Sequence, residues 1–393
     1  MTRSADGLAK RRARLWNELQ PAVRRTPALA AYAGRPLRDL PVTDVADLRS
    51  DYGRWNSLGK SHESLHAAAL DAENGGTGEV CPGVVCGYST GSGGTRGLFV
   101  ADRNERADYV GQILARALQP SALLKPMRLA LILRANSRLY SDSAGRRRSF
   151  LHLPLGLTPA ETADSLERFS PTVLIAPAAK LVTLAAHGLR LPDLKRLFYG
   201  AEPMSGGERS WLESVLGLRP DPIYQATEGF IAIACDQGRL HLNEHSLDVE
   251  LEPAPGAGGF RPILTDLRRR NQPIVRIRTD DLIELDCKPC HCGYAGRAIH
   301  PVMGRISEVL RYPGCTVSPA RLMAAMDALA PPPLQWQVIG HSDAVELRLG
   351  PGGAQDQVVA GLNHDLGLPV PVRLSTTPPD APAPKRRRII VHG

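Results

Sequence analysis

The chain has 393 residues, of which 43 % are apolar and 22 % charged, with 37 glycines and 33 prolines. That length predicts two or three domains at about 150 residues each, and the composition supplies a large core and excludes wholesale disorder. No apolar run approaches the 18 or so residues that cross a bilayer, and none follows the basic N-terminus (Arg3, Lys10, Arg11, Arg12, Arg14), so the expectation is a cytoplasmic protein without signal peptide or membrane partner.

Residues 8–20 place Leu8, Leu15, Trp16 and Leu19 on one stripe, which predicts an amphipathic helix ended by Pro21. A loop at Leu40–Asp44 opens a short helix near Val45–Leu48, and a helix over Leu65–Glu73 breaks at Gly75-Gly76-Thr77-Gly78. Strands and helices then alternate. Val84–Tyr88 reads as a strand, residues 103–118 as a helix, Leu129–Leu133 as a strand and Ala160–Phe169 as a helix. Val173–Ala176 (strand), Leu181–His187 (helix), Leu197–Tyr199 (strand) and Gly207–Leu216 (helix) continue the series. Such a succession predicts an α/β layer structure with substantial parallel sheet. From Ile231 the texture turns to hairpins (Leu240–Leu242, Leu247–Leu251, Ile263-Leu264, Val275–Arg278). A last block, with Pro-rich joints around Leu334–Ile339 and Val345–Leu349, reads as a small α+β domain.

The net charge of +8 favours an anionic partner. Its clusters (Lys10–Arg14, Arg146–Arg148, Arg268–Arg270, Lys385–Arg388) are scattered, and aromatics are only 5 %, too few for base-stacking platforms. They read as solvated faces, with a basic nucleic-acid binder as the non-enzymatic alternative. The seven cysteines, an odd number without an export signal, predict thiols or a metal site rather than a disulfide framework. Cys287-x2-Cys290-x-Cys292 and Cys235-x5-His241 offer soft ligands from two hairpins for a tetrahedral zinc site, against reduced cysteines on loops. Cys81, Cys86 and Cys315 read as core or incidental thiols.

Tyr88-Ser89-Thr90-Gly91-Ser92-Gly93-Gly94-Thr95-Arg96-Gly97 is a strand-to-helix loop whose glycines and exposed amides suit phosphate oxygens, although no Lys-Ser/Thr follows the last glycine as in a P-loop. An ordinary polar loop is the other reading. Gly200-Ala201-Glu202-Pro203, Tyr224-Gln225-Ala226-Thr227-Glu228-Gly229, Arg278-Thr279-Asp280-Asp281 and Gly304-Arg305 follow. Singly, Glu228 suits a magnesium ligand or a cap, and Asp281 a grip on sugar hydroxyls or a surface ion pair.

In this order and spacing the stretches resemble the adenylate-forming superfamily of acyl-CoA synthetases, most of all the phenylacetate-CoA ligase branch and the related deazaflavin-cofactor adenylating synthetases, from about residue 40 to the C-terminus. The resemblance implies a large N-terminal adenylation domain of mixed α/β sheets and helices over residues 1–304 and a small, mobile α+β domain over 305–393. It implies that Ser89 to Gly97 hold the β- and γ-phosphates, with Thr95-Arg96 in place of the usual Lys-Pro and Arg96 as the cation. Gly200, Ala201 and Glu202 would line the adenine with Tyr224 stacking near it. Thr227 would meet the α-phosphate, Glu228 would hold magnesium, Asp281 would accept from both ribose hydroxyls, and Arg305 would close over the ribose. Ser307, followed by Glu308, stands where most relatives have an acidic hinge.

Pro384-Lys385-Arg386-Arg387-Arg388 resembles the family's closing segment, which makes Lys385 the adenylation lysine, although Ala383-Pro384 replace the usual Ser-Gly; a basic tail is the other reading. Some relatives have a similar Cys…His…Cys-x-Cys set, which selects Cys235, His241, Cys290 and Cys292 for a structural zinc and leaves Cys287 spare. Arg134, Arg138 and Tyr140 lie where relatives build part of the acid site, or else in a solvated loop. The function implied is ATP-dependent activation of a small carboxylic acid, an aromatic one above all, as acyl-AMP with pyrophosphate release. Transfer to a thiol, CoA or a carrier-protein phosphopantetheine, would follow. Amide, ester or other nitrogen-bond formation, or nucleotidyl transfer to a hydroxyl, is the alternative. Homodimers are common in that branch, so a homodimer is one expected assembly.

Overall fold

The computed structural model describes residues 4–89, 96–118, 126–133, 148–329, 335–350, 355–380 and 386–392. Thr90, Gly91, Ser92, Gly93, Gly94, Thr95, the Arg134–Tyr140 stretch and Lys385 therefore lie outside the described residues.

The first helix runs over Ala5–Arg25, capped by Ser4, whose hydroxyl accepts from the Gly7 amide, and it buries the predicted stripe. Pro21 does not end it. Proline removes one helical donor and crowds the turn before it, but Ala22 and Val23 are 2 % and 0 % exposed, and Thr26 donates back to both their carbonyls. Burying two further apolar side chains offsets the missing bond.

The central sheet has eight strands, in the spatial order 298–299, 240–242, 229–234, 220–226, 196–200, 173–177, 127–133, 148–154. The last five are mutually parallel, while the first three are joined antiparallel. Alternation along the strands decides which helix covers which face. Ala130, Ile132, Leu174, Ala176 and Leu197 meet the helices Pro159–Phe169, Ala178–Ala186 and Gly206–Leu216. Leu129, Leu131, Ile175, Phe198 and Ile223 meet the helix Arg103–Ala117. The expected helix at Leu181–His187 starts three residues earlier, at Ala178, because Pro177 closes the preceding strand and caps it.

A three-stranded antiparallel sheet (79–81, 84–88, 98–102) and a four-stranded one (43–44, 274–278, 260–266, 247–253) flank the central layer. Residues 310–389 supply a core of their own, in which the helices Pro319–Ala328 and Gln355–Leu366 pack on a sheet ordered 372–374, 345–349, 336–340, 389–391. The fold class is the expected mixed α/β one. Among the described residues no helix is long and apolar enough to cross a membrane.

Candidate active site

The site is built at the carboxyl ends of the parallel strands, where open α/β sheets present their ligand crevice. The strand Arg196–Gly200 ends in Gly200, where a β-carbon would stand 2.9 Å from Ile223 Cγ2 and 3.0 Å from its carbonyl oxygen, so only glycine lets the strands approach this closely. Ala201 then takes φ +70°, a strained value for a residue with a side chain. Glu202 accepts from the Ala179 amide at 2.5 Å and from the Arg386 amide at 2.8 Å.

One strand over, Pro220–Ala226 turns back through Thr227-Glu228 into Gly229–Ala234. Tyr224 is buried beside Ile231 and Leu242, and its hydroxyl donates to Asp281 Oδ2 at 2.5 Å. Burial pushes this phenol well above its ordinary pKa of 10, and the neighbouring Asp281 carboxylate pushes it further, so it stays a donor. Asp281 pairs with Arg305 in a two-stranded ladder, and Arg305 Nε lies 3.4 Å from Asp281 Oδ1. The aspartate is thus held by a phenol on one oxygen and a guanidinium on the other. Tyr224 holds the Asp281 carboxylate. Burial lowers the Arg305 pKa, but the Asp281 and Glu308 carboxylates outweigh it and leave it raised. Glu308 folds back to accept from the Arg305 amide at 2.9 Å, and burial raises its own pKa.

Ser89 and Gly97, which flank the Gly-rich stretch, lie at the same place. Ser89 donates to the Gly97 carbonyl at 2.7 Å, closing the loop's base, and a β-carbon on Gly97 would collide with the Thr227 side chain. Glu228, 3 % exposed, faces Arg49 of the helix Val45–Ser50 at 3.0 Å. Arg96 turns the other way: it forks onto Glu73 at 2.6 and 2.7 Å and stacks 4.2 Å over the Tyr88 ring.

Two basic clusters expected to be solvated are engaged inside the fold. Arg268 Nε pairs with Asp108 at 2.9 Å, and Arg269 donates to the Thr227 carbonyl and to Gln272. Arg386 and Arg388 both reach Glu208 Oε1, at 2.5 and 2.8 Å. Arg388 also lies over the Trp336 ring, and burial brings its pKa down to about 10. The charge runs have internal partners because acidic side chains distant in sequence converge on them. Asp327 adds to the docking of the C-terminal block by accepting from the Gly206 and Gly207 amides at 2.7 and 3.3 Å. Sequence reasoning missed Arg49, Arg269 and Glu208; the last had one signal, the capping box Ser205-x-x-Glu208, which points to a helix start and not to Arg386.

Behind the turn, Asp266 is buried near Gly229 and accepts from the Arg268 amide, and burial pushes its carboxyl up to about 6, with Arg269 opposing. A carboxyl raised in the fold contributes stability below its unfolded value, near 3.8, and loses it as pH rises through 6. Asp266→Asn keeps the acceptor and removes the titration. The melting temperature of this variant relative to the parent should therefore climb between pH 4 and 7, and a flat difference would contradict the buried carboxyl.

A second cluster stands apart from these residues. The ligand atoms of Cys235, His241, Cys290 and Cys292 all lie within 4.8 Å of one another. Cys235 and Cys290 sulfurs are 3.7 Å apart, and Cys292 Sγ is 3.6 Å from His241 Nε2. Tetrahedral zinc with bonds of about 2.3 Å to sulfur and 2.0–2.1 Å to nitrogen requires edges of about 3.8 and 3.6 Å. His241 Nδ1 meets the Gly296 carbonyl at 2.8 Å, which fixes the tautomer that leaves Nε2 free to ligate. Arg239 braces the loop through Asp286 and the Pro289 carbonyl. Arg116, stacked 3.8 Å over Tyr294, supplies a nearby positive charge. Cys287 is exposed and outside the cluster.

No family model matches the sequence. A phenylacetate-coenzyme A ligase of Thermus thermophilus is 25 % identical over 340 residues, covering 80 % of this chain and 73 % of that protein. The structure of 2-hydroxyisobutyryl-CoA ligase in the postadenylation state, with an acyl-adenylate, superposes with a TM-score of 0.74 at 14 % identity, over 99 % of this chain and 90 % of that one. The fold is that of the adenylate-forming superfamily. Within this superfamily, the same ligase in its thioesterification state gives a TM-score of only 0.57 (17 % identity, 99 % of this chain, 90 % of that one). This chain therefore superposes better on the postadenylation form of that ligase than on its thioesterification form. The amide bond synthetase McbA of Marinactinospora thermotolerans superposes with a TM-score of 0.58 at 18 % identity, over 78 % of this chain and 68 % of that one.

Proposed function

We propose that this protein is an adenylate-forming ligase that activates a carboxylic acid with magnesium-ATP and passes the acyl group to a thiol such as CoA. The observation that carries the reading is the convergence of the Gly97–Thr227 contact, Glu228 and the Tyr224–Asp281–Arg305 chain at the carboxyl end of the strand Pro220–Ala226. A carboxylate oxygen of the acid attacks the α-phosphorus of ATP; the bond to the β-phosphate oxygen breaks and pyrophosphate leaves with the electron pair. The thiolate sulfur then attacks the acyl carbon and AMP departs.

The contacts of the described residues support a part for each of them, and the family resemblance supports that of Lys385. Asp281, with both oxygens already oriented, accepts the ribose hydroxyls, and Arg305 reinforces its charge. Thr227 and the Gly-rich stretch that ends at Gly97 bind phosphate oxygens. Glu228, paired with Arg49 in the structure, would hold the magnesium that accompanies ATP. Gly200, Ala201 and Glu202 form the adenine edge. Lys385, next to the docked Arg386, supplies the cation for adenylation. Release of Glu208 and Asp327 lets the block from Arg305 onward rotate for the thiol step, which divides the chain into residues 1–304 and 305–393. Cys235, His241, Cys290 and Cys292 hold a structural zinc that ties two hairpins together.

The test is product analysis. With a suitable acid, ATP and CoA should give AMP, pyrophosphate and an acyl-CoA by mass spectrometry. Asp281→Ala should lower the rate about 100-fold, the loss of hydrogen bonds to a charged group. Tight ATP binding with no acid-dependent pyrophosphate would count against the reading. An amide in place of the thioester would give the protein the acceptor class of the amide bond synthetase.

A further inference from the structure

Adenylation needs positive charge at the phosphate end of the site, because the outer part of the triphosphate leaves with a further electron pair. Two arginines there are already committed. Arg96 is forked onto Glu73 and stacked on Tyr88, and Arg269 donates to the Thr227 carbonyl and to Gln272. Arg49 differs from both. It stands on the helix Val45–Ser50, which Val45 and Leu48 anchor in the core. Its Nη2 donates to Glu228 Oε1 at 3.0 Å, while its Nε is buried with no acceptor among the described residues. The side chain is 25 % exposed against 3 % for Glu228, so a ligand can reach the guanidinium. Three residues on, the Tyr52 hydroxyl accepts from the Leu98 amide at 2.9 Å, which ties the segment carrying Arg49 to the residue after Gly97.

We infer that Arg49 binds the β- and γ-phosphate oxygens of ATP and stays with the pyrophosphate as it leaves. The inference rests on the adenylation reading and adds to it a cation from outside the Gly-rich stretch. A guanidinium carries five donors in a planar fork, and Glu228 takes one of them. Phosphate oxygens accept such a fork in pairs, and hydrogen bonds between ionised groups are about twice as strong as neutral ones. The Glu228 contact orients the fork in advance. When the bond from the α-phosphorus to the bridging oxygen breaks, its electron pair stays on the pyrophosphate. A guanidinium already in place stabilises that charge without reorganisation.

The experiment is calorimetric titration of ATP, pyrophosphate and AMP, with magnesium and without acid, into the parent, Arg49→Gln, Glu228→Gln and the double variant. Arg49→Gln should weaken ATP and pyrophosphate by about tenfold or more, the loss of hydrogen bonds between charged groups. AMP lacks the two outer phosphates, so its affinity should stay within about twofold, a split that a general loss of folding cannot produce. The double variant separates direct contact from an effect passed through the carboxylate. In the Glu228→Gln background, Arg49→Gln should still weaken ATP by about threefold or more. The double variant also removes both charges of the pair, so neither is left stranded in the fold and the comparison holds even where Arg49→Gln alone does not fold. Equal weakening of AMP and ATP, or no further loss in the Glu228→Gln background, would overturn the inference while leaving adenylation intact. A parent protein that binds neither ATP nor AMP would overturn the adenylation reading beneath it.

Discussion

Glu208→Gln is expected to slow acyl-adenylate formation by about 100-fold while transfer from added acyl-adenylate to thiol changes less than about threefold. Glu208 is fully buried at the start of the helix Gly206–Leu216, and its Oε1 receives both Arg386 and Arg388. Glutamine keeps the shape and can still cap, but it leaves two guanidiniums facing a neutral group, one of them on Arg388 at 8 % exposure. Removing one partner of a buried ion pair costs about 3–5 kcal/mol, and each 1.4 kcal/mol is about tenfold in an equilibrium. That cost falls on the docked arrangement alone, because the pair links residues 180 positions apart across the two blocks. Rapid-quench measurement of the two half-reactions checks this. Equal slowing of both would mean that Glu208 serves stability and not docking.

Stripping the metal from the thiol-imidazole cluster should have the larger effect on stability. The purified protein should carry about one zinc per chain, and a strong chelator should release it and lower the melting temperature by about 10 °C or more. Structural zinc contributes about 10–16 kcal/mol of apparent binding energy in small peptides. Even a third of that is several degrees for a chain of this size. The loss should be local at first, because Cys235 follows one strand of the central sheet while Cys290 and Cys292 lie in the loop braced by Arg239. Cys290→Ser should reproduce the chelated protein, and Cys287→Ser, at the exposed thiol, should not. A metal-free protein with an unchanged melting temperature would remove zinc from the account.

The alternating strands and helices were legible because their apolar periods are local. Leu129, Leu131 and Ile175 face one helix layer, and Ala130, Ile132 and Leu174 the other, as period-2 alternation dictates. The Tyr-x-x-Thr-Glu and Asp281 stretches stood out through the family resemblance, and the structure brings Tyr224 onto Asp281 from 57 residues away. What escaped is long-range. Pro21 continues its helix because Ala22 and Val23 find a core that the local sequence does not display. Arg268 and Arg269 look solvated until Asp108 and the Thr227 carbonyl meet them from 160 and 42 residues away. Arg49 carries no motif, and its partnership with Glu228 spans 179 residues. Arg96 takes Glu73 as its partner for the same reason: the helix His62–Glu73 packs beside the loop's strand.

The most direct test of the shared nucleotide site is a crystal structure with AMP bound. The ribose hydroxyls should lie within hydrogen-bond distance of both Asp281 oxygens, with the phosphate beside Thr227 and Gly97 and the adenine against Gly200–Glu202. AMP seated elsewhere, with Asp281 still closed on Tyr224 and Arg305 alone, would contradict the account at its root.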